Sequence, residues 1–530
     1  MKTSKFFTAI GLITAVWFSA CTNDEPMDPN ALPEGKYPLE IASVTMSVES
    51  SSEPWGADAP QTRVTENDTD GMSSVWETGD VFYVKFEGTD DVGTYKITDA
   101  STGAVEAVKP VYWRSASEEQ TIIAWYAPKT KEDGTIDVSD QSKGLAYVIR
   151  AELKATCNGG SSVFLQFSHQ LSKVRVYLRG TAYEGNATGV TLSYPASYTM
   201  TEGSVTASGT NGTIQMHKAE NADYYEALVL PGTIGTNGTP FTVTLNGTTT
   251  ANVNLSAPLT LAAGSKHNVT LRLHKQGTTA IDLSKLSDHY RINTNGDYYF
   301  YGSGSYGIKV ISGNPNIYLG DATINVSSGN AIDITNGSPT IHVQGNNTVS
   351  TTANGAGIFI AQNNTVTITS TSRDNVLNAK GGNGGNGIGG YTTKSGNIYT
   401  SANSGNISIS NVTVYANGSD YNARVYAPGI GGAGSASCGT IIIDNATVYA
   451  YGTGASYYNL TGAAIGAGIN ANNKGSHSTI TIKNGSEVYV QRGNNLSDYI
   501  GHSGSRDNPA TATDGIDAIV DGTSKITKLN

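Results

Sequence analysis

The chain has little charge and almost no cysteine. Only 15% of its 530 residues are charged, and 33 basic residues stand against 44 acidic ones, with no basic run that could attract a nucleic acid. Its 3 cysteines form no disulfide framework, and no His-x-x-x-His, Cys-x-x-Cys or EF-hand spacing occurs. The sequence therefore argues against nucleic-acid binding and predicts neither a metal site nor a cofactor.

Long amphipathic helical patterns are also missing. Hydrophobic residues make up 38% of the chain and include many Val and Ile and 29 Tyr, while 62 Gly are spread between them. Val, Ile and Tyr favour strands, and a helical domain would need apolar residues that recur every three to four positions. We therefore expect an all-β protein.

The N-terminus has the pattern of a targeting segment. Lys2 and Lys5 precede an apolar stretch from Phe6 to Phe18, which is too short to span a bilayer. The following Ser-Ala-Cys resembles a bacterial lipobox, so we predict a lipoprotein signal peptide over residues 1–20, lipidation of Cys21 and a flexible tether over residues 21–40. The alternative is a plain secretory peptide in which Cys21 is incidental.

Two acidic residues, Asp24 and Glu25, follow the lipobox directly. They resemble the surface-export signal of Bacteroidetes lipoproteins. This resemblance implies a protein that is lipid-anchored in the outer membrane and displayed on the cell surface.

Short alternating segments run from Ile41 to about Lys275, and turn residues separate them. A period of two with frequent turns indicates antiparallel strands. We predict two β-sandwiches, over residues 41–178 and 179–275, followed by a linker over 276–289.

Several segments of this part resemble the fimbrillin-like family of Bacteroidetes surface lipoproteins in their order along the chain. They are Thr62-Arg63-Val64-Thr65, Trp76-Glu77-Thr78-Gly79-Asp80-Val81, Phe167-Ser168-His169-Gln170-Leu171-Ser172-Lys173-Val174, Leu230-Pro231-Gly232 and Leu261-Ala262-Ala263-Gly264-Ser265-Lys266. The resemblance implies transthyretin-like sandwiches and a role as a fimbrial subunit, tip or anchor. It also implies partners among other fimbrial subunits, bound by strand exchange after a protease cuts behind an arginine. Arg63 stands where such a cut could fall, and the alternative is an exposed arginine in an edge loop.

From about Tyr290 the chain repeats. Isoleucines follow turns at spacings of 24, 26, 30, 42, 35 and 35 residues, and two further alternating segments come after most of them. The isoleucines are Ile308, Ile332, Ile358, Ile388, Ile430, Ile465 and Ile500. Three short strands in each repeat predict a parallel β-helix of about seven coils over residues 290–530, with Ile409, Ile443 and Ile482 in one inward row.

Polar and aromatic residues recur at fixed places in these coils. We interpret Asn411, Asn445 and Asn484 as a structural ladder at one turn, with Asp321 at the equivalent place in the first coil. An outward row is predicted to contain Asn325, Ser350, Asn378, Tyr415, Tyr449 and Tyr489. The three tyrosines could form a platform for a sugar, or they could be a stack that stiffens the sheet.

The repeated Gly-Ile-Gly-Gly and Ile-x-Ile-x-Asn-x-x-Val resemble right-handed β-helix carbohydrate-binding proteins that share their architecture with pectate lyases. That resemblance implies calcium and acidic polysaccharides as ligands, but the acidic residues here are scattered over different coils, so the sequence leaves calcium unsupported. We expect a surface adhesin that binds a glycan or host surface ligand and has no catalytic residues. The alternatives are a polysaccharide-degrading or glycan-foraging lipoprotein and a passive spacer.

Overall fold

The protein is described from a computed structural model. The structure describes residues 37–46, 62–66, 74–157, 162–183, 185–209, 211–219, 224–236, 240–255, 257–395, 398–420, 425–455, 460–470, 476–493, 497–505 and 515–529. The predicted signal peptide, Cys21 and nearly all of the tether lie outside these ranges. Within them every regular element is a strand apart from one 3₁₀ turn, Leu283–Lys285, which confirms the all-β prediction. None of the described residues forms a helix with the length and hydrophobicity that a membrane crossing requires.

The N-terminal half contains one large sheet. In spatial order its seven strands are Ile41–Met46, Val163–His169, Ile149–Ala155, Gln120–Tyr126, Val81–Phe86, Gly93–Asp99 and Ala104–Lys109. The first strand is parallel to its neighbour, and the remaining pairs are antiparallel. The two edges of the sheet approach each other, since Val44 N donates to Gly103 O at 3.0 Å.

Smaller sheets complete this half. One contains His217–Lys218, Tyr225–Val229, Ser172–Arg179 and Lys266–Arg272, and another contains Asn211–Gln215, Ala187–Pro195, Phe241–Leu245 and Thr249–Val253. The rest are Ser204–Ala207 with Ser197–Thr201 and Thr135–Asp137, Gly232–Ile234 with Leu259–Leu261, and Thr62–Glu66 with Ser74–Trp76. A single apolar cluster from Leu39 to Leu273 lies beneath them.

The strand Ser172–Arg179 differs from its predicted place at the end of the first sandwich. It pairs with Tyr225–Val229 and Lys266–Arg272, both of which come from the second predicted sandwich. The alternating pattern identified the strand, but a pattern along one strand carries no information about its partners.

The C-terminal half winds through three stacks of parallel strands and visits each stack in turn. The first stack contains Tyr290–Ile292, Ile308–Val310, Ile332–Ile334, Ile358–Ile360, Ile388–Gly389, Ile430–Gly431, Ile465–Ala467 and Ile500–His502. The second contains Asn316–Val326, Thr340–Gln344, Thr365–Thr369, Asn406–Ser410, Ile441–Asp444, Ile480–Lys483 and Ile519–Val520. The third begins on the far part of Asn316–Val326 and continues with Asn346–Thr351, Val376–Lys380, Thr413–Asn417, Thr447–Tyr451, Glu487–Gln491 and Lys525–Lys528.

Short elements flank these stacks. Thr279–Asp282 pairs with Asp297–Gly304, which pairs in turn with the first long strand. The others are the hairpin Thr392–Ser395 with Ile398–Ser401, the pair Val425–Tyr426 with Ile469–Asn470, and the set Gly454–Ala455, Leu460–Thr461 and Gly504–Ser505.

The registers of the isoleucine rows are as predicted. Ile308, Ile332, Ile358, Ile388, Ile430, Ile465 and Ile500 pair successively down the first stack. In the second stack Ile443 pairs with Ile409 on one side and Ile482 on the other. All three have no exposed surface. Because each coil contributes only a few apolar side chains, this core exists only where the coils are stacked.

One predicted row is wrong in the third stack. Ser350 pairs with Lys380, whereas Asn378 pairs with Thr348, so the row that reaches Tyr415 runs through Thr348 rather than Ser350. A slip of two residues keeps every side chain on its own face. The alternating pattern is therefore the same in both registers, and the sequence could not separate them.

Polar contacts join the two halves. Gln344, which is 5% exposed, accepts a hydrogen bond from Gly180 N at 2.7 Å through Oε1 and donates to Gly180 O at 3.0 Å through Nε2. Arg179 Nε donates to Asp321 Oδ2 at 3.2 Å. The first coils are thus held against the strand Ser172–Arg179, and the later coils extend away from this junction.

Candidate binding face of the C-terminal half

Three tyrosines form a continuous stack on the third set of strands. Tyr415, Tyr449 and Tyr489 occupy the same register position in consecutive coils, and we call them the tyrosine ladder. Ring centroids are 4.5 Å apart in both pairs, with interplanar angles of 5° and 8°. Identical residues on parallel strands spaced about 4.8 Å apart are brought into this arrangement by the backbone itself.

The stack leaves ring edges and hydroxyls at the surface. Each ring covers the face of its neighbour, so the ladder does not turn its ring faces outward as a flat strip. Tyr489 donates to Glu487 Oε2 at 3.3 Å, and this carboxylate raises the pKa of Tyr489. Burial raises the pKa of Tyr449. Both phenols therefore keep their protons at neutral pH and can donate as well as accept hydrogen bonds.

Neighbouring outward positions are mostly uncharged and polar. The row beside the ladder contains Asn417, Tyr451 and Gln491, all of them partly exposed. The row on its other side contains Thr413, Thr447 and Glu487. Amides, hydroxyls and phenol edges thus cover an area of three coils with one carboxylate among them.

The predicted turn residues have the backbone conformation that the turn needs. Asp321, Asn411, Asn445 and Asn484 have φ between 46° and 57°, a region that Asn and Asp tolerate better than other side chains. Asn445 Nδ2 donates to Asn411 Oδ1 at 2.6 Å, whereas Asn484 Nδ2 donates to Asp444 Oδ1 at 2.6 Å. The side-chain ladder therefore joins two coils directly and changes partner at the third.

An arginine explains this change of partner. Arg373 donates to the carbonyl and the side-chain oxygen of Asn445, at 3.0 and 2.5 Å, and to Gly485 O at 2.8 Å. Asp374, its neighbour in sequence, accepts from the Ser372 hydroxyl at 2.8 Å. The guanidinium therefore joins the turns at Asn445 and Gly485, which belong to two later coils.

A stack of glycines lies in the first set of strands of the later coils. Gly389, Gly431 and Gly466 have φ between 129° and 136°, and a Cβ on any of them would collide with a glycine carbonyl of the next coil. Residues 426–434, which include the strand Ile430–Gly431 of the first stack, are buried. The third stack, which carries the tyrosine ladder, keeps partly exposed outward positions in the same coils.

Arg63 lies in a strand and not in a loop. Thr62–Glu66 pairs antiparallel with Ser74–Trp76, with irregular register around Arg63. This corrects the alternative of an edge loop. The strand Ile41–Met46, at the edge of the seven-stranded sheet, precedes Arg63 in the chain.

Comparison with known proteins identifies the N-terminal half. The fimbrillin-like family model matches residues 62–285. This region is fimbrillin-like. The match spans less than half of the chain and ends where the coils begin, so it assigns the fimbrillin-like region alone. No curated protein matches the chain.

Solved structures from Bacteroides species also resemble the chain. A candidate cell adhesion protein from Bacteroides uniformis is 23% identical, covers 38% of this chain and 88% of its own, and has a TM-score of 0.32. One from Bacteroides thetaiotaomicron is 20% identical, with 45% and 92% coverage and a TM-score of 0.29. A fimbrial protein from Bacteroides ovatus is 14% identical, with 45% and 50% coverage and a TM-score of 0.24. At these scores the identification of the fimbrillin-like region rests on the family match.

Proposed function

We propose that this protein is a cell-surface adhesin whose C-terminal half binds glycans. The fimbrillin-like match supports a role in adhesion or fimbriae. The observation that carries glycan binding is the tyrosine ladder with its polar rows, because sugars are bound by several neutral hydrogen-bonding groups beside aromatic rings.

The stack of rings determines how a sugar would bind. The faces of Tyr449 are covered on both sides, so a sugar meets the phenol hydroxyls and ring edges rather than the rings. The ring centroids repeat at a spacing of 4.5 Å, and the flanking rows supply amides and hydroxyls beside them. Such a row suits an extended glycan chain better than a single sugar in a pocket.

In this proposal the C-terminal half is a right-handed parallel β-helix of about seven coils. Its coils place the ladder away from the junction at Gly180 and Gln344. A lipid on Cys21 anchors the protein in the outer membrane, and the acidic residues after it direct display on the cell surface.

Assembly into a fimbria is a second role, favoured by the position of one strand. Ile41–Met46 pairs with Val163–His169 on one side, and on its other side Val44 N donates to Gly103 O, next to the opposite edge strand of the sheet. Val44 has no exposed surface. Cleavage at Arg63 would separate this strand from the rest of the chain. Its departure would leave Val163–His169 as an open edge that a strand of another subunit could fill.

A glycan array with the complete mature protein tests the proposal, run with and without calcium and beside a reducing-sugar assay. We expect binding to a defined set of glycans without release of reducing ends. Release of reducing ends would favour the polysaccharide-degrading alternative. An array without any bound glycan would refute glycan binding and favour the passive spacer.

A further inference from the structure

Two histidines and an aspartate meet in the last coils. His477 precedes the strand Ile480–Lys483, His502 ends the strand Ile500–His502, and Asp517 follows a bridge between Ile516 and Ile500. One side-chain nitrogen or oxygen from each lies within 4.8 Å of the others. His477 Nε2 is 3.1 Å from Asp517 Oδ2, and the two imidazole rings are 4.6 Å apart.

A backbone carbonyl fixes the tautomer of His477. Its Nδ1 lies 2.6 Å from Ser478 O, and because a carbonyl only accepts, Nδ1 carries the proton. In the neutral ring Nε2 then directs a lone pair at the Asp517 carboxylate, which is also an acceptor. Two acceptors at this distance repel each other unless a proton or a cation lies between them. An imidazole held by a carbonyl at one nitrogen is the usual support of a metal-binding histidine.

The separation of His477 Nε2 and Asp517 Oδ2 fits a transition metal. Ligands about 2.0–2.1 Å from a tetrahedral zinc ion are about 3.3 Å apart, close to the distance between His477 Nε2 and Asp517 Oδ2. Imidazole and carboxylate ligands suit zinc, whereas calcium prefers oxygen ligands alone.

The surroundings hold the ligands in place. The His477 side chain is only 8% exposed while that of Asp517 is 55% exposed, so the cluster is open on one side. Asp498 is buried and binds both the backbone N and O of His502, each at 2.9 Å. A Cβ on Gly501 would lie 2.9 Å from Asp517 Cβ, so a glycine is required there for Asp517 to approach.

We propose that His477, His502 and Asp517 bind a divalent transition-metal ion of the zinc type, with water in the open position. The ion joins residues from the last coils and so fastens the end of the stack. Motif scanning of the sequence missed the site because its ligands are separated along the chain and meet only when the coils stack.

Metal titration of the complete mature protein, free of any polyhistidine tag and stripped with a chelator, tests the site. We expect one equivalent of zinc in competition with a chromophoric chelator, a visible spectrum of nitrogen and oxygen ligation with cobalt, and no competition from calcium. His477→Gln and Asp517→Asn should each weaken zinc binding by at least tenfold. Zinc should also raise the thermal midpoint of the wild type and not that of these variants.

His217→Gln is the matched control. His217 Nδ1 also lies near a carbonyl, Ser142 O, at 3.0 Å, but this partly exposed residue belongs to the fimbrillin-like region and not to the cluster. The control should bind zinc like the wild type. Failure to bind one equivalent, full binding by folded Asp517→Asn, or equal loss in the control would overturn the proposal and leave an ordinary ion pair.

Discussion

Replacing Ile443 by aspartate tests the stacked core. Ile443 has no exposed surface and pairs with Ile409 and Ile482 on the adjoining coils. Loss of its apolar burial costs about 1.5–3 kcal/mol. The new carboxyl has no cation in the apolar row and takes up a proton, which at pH 7 costs about 4 kcal/mol for a group with an unfolded pKa of about 3.9.

The total, about 6 kcal/mol, is comparable with the stability of a whole domain, which is about 5–15 kcal/mol. It also depends on pH with a defined sign. The folded pKa of this aspartate is raised above its unfolded value, so the proton-uptake cost is absent below about pH 4 and grows as the pH rises. At pH 5 that cost is about 1.5 kcal/mol, so the variant should be less impaired at pH 5 than at pH 7.

Ile442→Asp is the control, since Ile442 is adjacent on the same strand and faces outward. It should cost about 1 kcal/mol, from β-propensity. The assay is denaturant unfolding at pH 5 and pH 7, combined with limited proteolysis and mass spectrometry. Ile443→Asp should expose the later coils to protease while the fimbrillin-like region stays resistant, because coils contact only their neighbours. Equal stability of the two variants, or a cost that does not change with pH, would refute the reasoning.

The remaining predictions concern the N-terminus. Cys21→Ser should leave the precursor uncut or release the protein from the membrane fraction, and identical detergent partitioning of mutant and wild type would rule out the lipid anchor. Protease added to intact cells should degrade the wild-type protein, and protection until lysis would argue against surface display. If the protein assembles into a fimbria, N-terminal sequencing of assembled material should begin directly after Arg63, whereas an N-terminus upstream of the strand Ile41–Met46 would exclude this route of strand exchange.

The isoleucine rows could be predicted because the same inward position of the first stack is an isoleucine in each coil from Ile308 to Ile500, so periodicity and spacing specify one register. The observed pairing of Ser350 with Lys380 could not be predicted, since the predicted and observed registers both keep each side chain on the same face of the sheet. The repeat predicted that the three tyrosines lie in one row. It did not predict that their rings stack face to face, because that orientation follows from the spacing of the strands. His502 and Asp517 lie on segments that meet only across coils, and this distance along the chain concealed them from motif analysis.

The tyrosine ladder offers the most direct test of glycan binding. Replacing Tyr415, Tyr449 and Tyr489 together by phenylalanine keeps the ring stack, whose pairs contribute about 0.5–1.5 kcal/mol each, and removes the hydroxyls. The measurement is the affinity of this variant for the glycan found on the array, with its thermal midpoint measured in parallel and Tyr83→Phe, at an exposed tyrosine of the fimbrillin-like region, as the control. The account predicts an unchanged midpoint and lost binding for the triple variant, and wild-type behaviour for the control. Wild-type affinity in the folded triple variant would contradict it.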